Sequence, residues 1–233
     1  MGADRTLPHH ISEGDRAMTT AATALPLLGL RIYAGPVELR GVTDDLIGPL
    51  ADLAIKGIHD PDFMPFFIPW SLTSADEMPK NMAQYHWGNR ARFSPDEWGM
   101  DLAVFFEGEL VGSQGFSARD FLITRGGETG SWLGREFQGR GIGTTMRKVI
   151  CAFVFDHLDA QLITSSAFTD NPASLAVSRK CGYTENGVDV LKRIDKPATL
   201  QRIILEPGNL IRYEHKLTVE GLPEFRRSIG LDA

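Results

Sequence analysis

The residues with the clearest chemical purpose run from Arg135 to Thr144, Arg-Glu-Phe-Gln-Gly-Arg-Gly-Ile-Gly-Thr. Gly139, Gly141 and Gly143 let the backbone lie close against an anion. Behind them Ile142, Met146, Val149, Ile150 and Phe153 recur at helical spacing as one apolar stripe that ends at His157. A helix starting here points unpaired N–H groups, and the positive end of its dipole, at whatever sits in the turn. The segment suits a phosphate or pyrophosphate. A dinucleotide fingerprint needs G-x-G-x-x-G, and the spacing Gly139-x-Gly141-x-Gly143 departs from it. A P-loop needs Gly-Lys-Ser/Thr, whereas Gly143 is followed directly by Thr144. A plain strand-to-helix turn with glycines for tight packing accounts for the same residues.

A second segment, Asn171-Pro172-Ala173-Ser174-Leu175-Ala176-Val177-Ser178-Arg179-Lys180-Cys181-Gly182-Tyr183, reads as a short helix. Asn171 is an N-cap, Pro172 occupies the first helical position and Gly182 stops the helix. Ser174 and Ser178 are four apart and share one face. The preceding Gln161–Phe168 reads as a strand.

Together, Gln138-x-x-Gly141-x-Gly143 and, about thirty residues on, a strand followed by the Asn-x-x-Ser helix and Gly-aromatic resemble the core of the GNAT superfamily of N-acetyltransferases. The closest likeness is to its RimJ/RimL-like branch, and it covers roughly residues 30 to 207. The resemblance implies a coenzyme A-dependent N-acyltransferase, most simply acetyl-CoA to a primary amine by direct transfer. It places Phe137, Gln138, Gly139, Arg140, Gly141, Ile142, Gly143 and Thr144 at the pyrophosphate, Trp132 and Leu133 along the pantetheine arm, and Asn171 beside the coenzyme. Many members carry a tyrosine where this chain has Ser178, so the usual acid for the departing thiolate is missing. Ser174 becomes the better candidate, although a first-turn serine bonded to backbone amides reads equally well. Glu128 begins the strand before the turn, where relatives often place a general base; it also reads as an exposed loop acid. Asp101, His59 and Asp60 are weaker alternatives. Succinyl-CoA is a rival donor, with His59, His86 and Arg119 as the basic residues that would favour it. A non-catalytic coenzyme A-binding module is a rival from another class.

The bulk properties bound these readings. The chain has 233 residues, 42% hydrophobic and 23% charged, with a net charge of −6. That is enough for one domain with a full core. The acidic balance argues against a broad nucleic-acid face and suits a cationic amine, whether a small molecule or a protein N-terminus. Two cysteines make no disulfide framework and the histidines lack metal-ligand spacing, so no metal is expected. Met18–Leu30 is too short to span a bilayer, and a cytoplasmic protein without a membrane partner is expected. A homodimer is left open.

The elements that must position these groups follow from period and punctuation. A strand pair turns around Gly35-Pro36, and a helix runs from about Asp44 to Ile58 despite Pro49. The loop 59–70, rich in proline and aromatics, is the natural wall of an acceptor pocket, with His59, Phe66, Phe67 and Trp70 as candidate lining. Ser74-Ala75-Asp76-Glu77 reads as a capping box that opens a helix towards Arg92. A hairpin, Asp101–Glu107 with Leu110–Ala118, turns at Gly108. Gly127–Gly134 forms the strand before the glycine turn, and Val188–Ile194 with Leu200–Leu205 complete the sheet. This order predicts an α+β domain over residues 29–207, with a GNAT-like mixed, mostly antiparallel sheet, flanking helices and a splayed strand pair. Residues 1–28 are expected to be a flexible N-terminal extension, and 208–233 an arm beyond the domain.

Overall fold

The structure, a computed structural model, describes residues 19–232. Nine strands form one mixed sheet in the order β7-β8-β6-β5-β4-β3-β2-β1-β9. The N-terminal hairpin pairs β1 (Arg31–Ala34) with β2 (Val37–Gly41), and Gly35 turns it with φ +57°. Helix α1 (Ala21–Ala24) precedes it, and Leu27, in the turn that follows, is already buried. The part of the expected N-terminal extension from 19 to 28 thus packs on the domain, while 1–18 lie outside the described residues.

Helix α2 (Asp44–Lys56) buries Ile47, Leu50, Ala51, Leu53 and Ala54. Helix α3 (Met78–Arg92) begins later than the capping box implied. Pro79 takes the first turn, Glu77 becomes the N-cap without a side-chain bond, and Ser74 contributes only its carbonyl to the amides of Glu77 and Met78. A proline at the start of a helix needs no N–H partner, so it sets the boundary where the box would otherwise lie.

The hairpin of β3 (Glu97–Phe106) and β4 (Glu109–Arg119) is longer than expected. Its register shifts at Val104/Phe105, which pair with Gly112 and Leu110 and leave Val111 as an extra, bulged residue. A short helix α4 (Phe121–Thr124) leads into β5 (Gly126–Leu133). Then come α5 (Ile142–Leu158), β6 (Leu162–Phe168) and α6 (Pro172–Cys181). The last hairpin, β7 (Thr184–Arg193) with β8 (Lys196–Leu205), is also longer than expected, because Gly187 absorbs a register shift and keeps pairing continuous. The only parallel pair among the described strands is β5–β6.

Helix α5 is buried almost all round rather than along one stripe: besides the expected residues, Cys151, Ala152, Val154, Phe155 and Leu158 are covered. The C-terminal segment explains this. Residues 208–233, read from sequence as an arm beyond the domain, contribute β9 (Thr218–Glu220), which pairs with β1, and α7 (Leu222–Ser228). Arg212 forms a two-bond ion pair with Asp156, and Arg226 donates to the carbonyl of His157. Gly182 lets the segment leave α6: it has φ +100°, and a Cβ there would lie 1.9 Å from the Asn209 carbonyl oxygen.

Phe225 and Ile229 are fully buried, with the Phe225 ring 5.8 Å from that of Trp98. If the arm is integral to the fold, Phe225→Ala will lower stability by about 3 kcal/mol, within the range for large aromatic deletions. Urea unfolding followed by tryptophan fluorescence measures this; an unchanged midpoint would make the arm an appendage.

Candidate active site

Strands β5 and β6 share only three ladder positions, Gly126–Glu128 with Leu162–Thr164. Beyond Thr129 they diverge, while β5 stays paired with β4 up to Leu133. The result is a V in the middle of the sheet, with a glycine turn at one mouth and a cavity at the other.

At the first mouth the chain turns through Arg135–Phe137 into α5. Gly139 (φ +75°) and Gly141 (φ +85°) both occupy the left-handed region, and a Cβ at either would meet nothing within 4 Å. These glycines therefore do two things: they permit the turn, and they leave open space against the backbone, as close approach of an anion requires. The amides of Thr144 and Thr145 close on the Gly141 carbonyl. Those of Ile142 and Gly143 remain as donors at the helix start. Gly143 serves packing instead, with Leu133 and Val177 in contact range. The side chains of Phe137, Ile142 and Leu133 are buried in the core, so these residues face a ligand through backbone alone. The amide of Gln138 donates to the carbonyls of Ile58 (2.6 Å) and Leu133 (3.0 Å), tethering the turn to the ends of α2 and β5. Arg140 is exposed, with its guanidinium 5.9 Å from the centre of the Phe137 ring.

Across the V, Asn171 caps α6 by accepting from the Ser174 amide at 3.1 Å. The Ser174 side chain is half-buried and its hydroxyl keeps its capacity to donate. Ser178 differs. It is 2% exposed and donates to the Ser174 carbonyl at 3.0 Å, so the shared face expected from spacing does not present both hydroxyls.

The cavity lies between α3, the 59–70 loop and the sheet, with a volume of about 980 Å³. Its floor carries Gly99, Gly115, Gly126, Gly127 and Gly130, and nothing stands within 4 Å of a Cβ placed on Gly130. Gly130 thus leaves room directly on the backbone, whereas Gly127 serves packing, since a Cβ there would lie 2.3 Å from the Phe116 ring. Glu128 lines the cavity at the edge and is exposed. Asp101 faces it from β3, opposite Gly115. Its carboxylate accepts from the Tyr85 hydroxyl (3.2 Å) and from the Asn89 amide (2.9 Å), both neutral donors on α3. Among the described residues Asp101 has no cationic partner. Spacing on α3 could have flagged Tyr85 and Asn89, which lie four apart, but nothing local pointed them at β3.

Of the four residues weighed as lining in the 59–70 loop, Phe66 and Trp70 face the cavity, whereas Phe67 and His59 do not. Phe66, Trp70 and Trp132 line the cavity, their rings in sequence at 5.3 and 5.7 Å. Phe67 is 58% exposed and does not line it. His59 stands behind the wall and braces the loop, one ring nitrogen 2.8 Å from the Asp60 carbonyl and the other 2.7 Å from the Ser71 hydroxyl. Of the basic residues weighed for a longer acyl donor, Arg119 lines the cavity but pairs with Glu97 at 2.9 Å. His86 is buried, which lowers its proton affinity below the usual histidine value, and Arg90 adds to that while Asp101 opposes it. A neutral His86 at neutral pH is a poor anchor for a carboxylate.

Behind β5, Arg147 of α5 is 5% exposed. It donates to Gln114, Thr129, Ser165 and Ser131. Sequence reading missed it because it sits between Met146 and Lys148 and looks like surface charge. Its row, Gly143–Arg147–Cys151, was the available signal: flanking residues on an i, i+4 row share its face, and both are small.

Known proteins share this fold. The structure resembles RimL, a ribosomal L7/L12 alpha-N-protein acetyltransferase in complex with coenzyme A, with a TM-score of 0.59 and 20% identity over 73% of this chain and 94% of that one. It also resembles RimJ of Mycobacterium smegmatis, at TM-score 0.63 and 18% identity over 79% of this chain and 88% of the other. Likeness at these identities speaks to the fold. In sequence, 89 residues are 28% identical to YdaF of Bacillus subtilis (strain 168), named as a candidate ribosomal N-acetyltransferase; the match covers 38% of this chain. The match spans 48%, about half the length, of that curated relative. The family model described as the acetyltransferase (GNAT) domain matches residues 37–184, well over half of the chain, and the protein belongs to that family.

Proposed function

We propose that the protein is an acyl-CoA-dependent N-acyltransferase that moves acetyl from acetyl-CoA to a primary amine by direct transfer. One observation carries the reading: the V between β5 and β6 joins a turn shaped for an anion to an acid-lined cavity. Gly139 and Gly141, with the first amides of α5, would hold the pyrophosphate. The chain from there to the cavity would follow the open edge of β5 past Trp132 and Ser131. Bound acetyl-CoA would supply an acyl group activated as a thioester.

The chain's own residues do the rest. Asp101, with no cation of its own, receives the acceptor's ammonium, and the bare floor lets the amine settle beside Gly130. Glu128 takes a proton from the amine through water, which an exposed position at the edge permits. Ser174 offers its hydroxyl to the departing sulfur. The aromatic wall of Phe66, Trp70 and Trp132 excludes water from the transfer. The acceptor class is a protein N-terminal amine, as the names of the relatives indicate for those proteins, or a small amine that fits the same cavity. Among the described residues no helix is long and apolar enough to cross a membrane, and a cytoplasmic setting fits an enzyme that draws on acetyl-CoA.

Three outcomes follow. Gly141→Val costs roughly 1–2 kcal/mol of backbone strain, which the surrounding fold absorbs, and should sharply weaken acetyl-CoA binding in calorimetric titration. Unchanged affinity in the folded variant removes the pyrophosphate assignment. Glu128→Gln should leave that affinity intact and lower kcat by about 10²- to 10⁴-fold, with a smaller loss for weakly basic amines that arrive neutral. A thiol-release assay across an amine panel reads this, and equal loss with every acceptor would refute a base role. Ser174→Ala should lower kcat by about 10²-fold, and Ser178→Ala by less; the reverse ranking at saturating donor would make Ser174 structural.

A further inference from the structure

Arg147 is an ion in the wrong place for a structural residue. Its side chain is 5% exposed, and all four of its hydrogen bonds go to neutral oxygens: Gln114 Oε1 (3.4 Å), Thr129 Oγ1 (3.2 Å), Ser165 Oγ (3.3 Å) and Ser131 Oγ (2.8 Å). None of the ion pairs among the described residues includes it. The titratable groups that face it are Cys151 on its own helix, Cys181 at the end of α6, and Tyr183. Burial pushes the Cys151 thiol up to about 12, the Cys181 thiol up to about 11 and the Tyr183 phenol well above its ordinary value. All three are therefore neutral in the working range, and the described residues hold no counter-charge for the guanidinium. Arginine stays protonated in proteins, and burying its charge without an anion is costly. A site that keeps such a charge is poised for an anion that arrives or forms there.

The hydroxyls around Arg147 differ in one respect. Ser165 passes its proton to the Thr129 carbonyl (2.9 Å), and Thr129 shares one with Tyr183 (2.9 Å). Ser131 accepts from Arg147 and has no acceptor for its own proton among the described residues. It also lines the cavity, on the part of β5 that lies between Glu128 and the glycine turn. On the reading given above, the thioester must pass this point.

We propose that Arg147 and Ser131 form an electrostatic site for the sulfur released in acyl transfer, with Ser131 touching the sulfur and Arg147 positioning and polarising that hydroxyl. As the amine nitrogen bonds to the acyl carbon, the carbon–sulfur bond breaks and its electron pair stays on sulfur. The Ser131 O–H donates to that new charge, and a serine whose oxygen already accepts from a cation is a stronger donor. Donors aimed at charge that develops only during reaction act on the transition state more than on the ground state. Ser131 keeps its own proton and acts beside the Ser174 hydroxyl, while the proton of the attacking amine leaves through Glu128.

The inference rests on coenzyme A binding, so the test separates the two. Coenzyme A bound to the full chain is titrated by its thiolate absorbance, with the complex of desulfo-coenzyme A as the blank that cancels protein cysteines and tyrosines. The bound thiol should ionise about one pH unit or more below free coenzyme A. Ser131→Ala and Arg147→Met should each move it back up by most of that interval, and Arg147→Lys should retain part of it. A bound thiol that ionises as in free solution, or that is unmoved in a folded Ser131→Ala variant, overturns the inference alone. So does an Arg147→Met variant that leaves the thiol unmoved but selectively loses affinity for succinyl-CoA, which would place the charge at an acyl carboxylate. If wild-type protein fails to bind coenzyme A at all, the coenzyme reading falls and this inference with it. Should Arg147→Met not fold by circular dichroism, the half-buried Ser131 still decides the question.

Discussion

A parallel strand pair that separates after three residues has to give up ladder hydrogen bonds in the middle of its own sheet. Strands β5 and β6 do this at Thr129, and most of the molecule can be understood as the arrangement that keeps them apart. Buried backbone groups without partners are costly, so the opening needs substitutes. Ser165 supplies one by donating its hydroxyl to the Thr129 carbonyl, and on the β4 side Gln114 donates to the Gly130 carbonyl. Arg147 then ties these side chains together from below. The V is thus held open by a polar network under its floor, and that network encloses a buried cation.

Helix α5 links this opening to the glycine turn. Its N-terminus forms the anion-facing mouth, its second turn places Arg147, and its remaining turns are packed on nearly every side. A helix anchored so completely cannot shift its first turn without disturbing the core. Cores are close-packed and transmit displacement instead of absorbing it. The C-terminal segment contributes to that rigidity through the Arg212–Asp156 pair and the bond from Arg226 to the His157 carbonyl. Exposed ion pairs by themselves add little; the buried Ile229 and Phe225, the latter beside Trp98, do more to hold the segment down.

The opposite wall follows another logic. Glycines strip the floor of side chains, while aromatic rings and carboxylates supply the sides. Apolar walls with a few placed polar groups are the usual composition of a small-ligand site. Here the polar groups come from separate elements: Asp101 from β3, Tyr85 and Asn89 from α3, Glu128 from β5. The pairing of Gly115 with both Asp101 and Gly130 brings the strands into one surface, and the bonds of Tyr85 and Asn89 to Asp101 join α3 to it.

What the chain's order alone determined is what short-range physics determines. The glycine turn, the Asn171 cap and the Gly182 stop were legible because each depends on one backbone conformation and its immediate neighbours. The family resemblance was legible because these local signatures recur at a fixed distance. The mixed sheet and the splay came with that resemblance. Tertiary structure decided the rest. It separated Phe66 from Phe67, since a loop does not state which of two adjacent rings turns inward. It consumed the Ser178 hydroxyl inside its own helix and left that of Ser174 free. It drew the C-terminal segment into the sheet, where burial of Phe225 depends on partners more than a hundred residues earlier in the chain. And it turned Arg147 from a charge in a helix into a buried cation, because the meaning of a charge is set by what surrounds it, and those surroundings come from three separate strands.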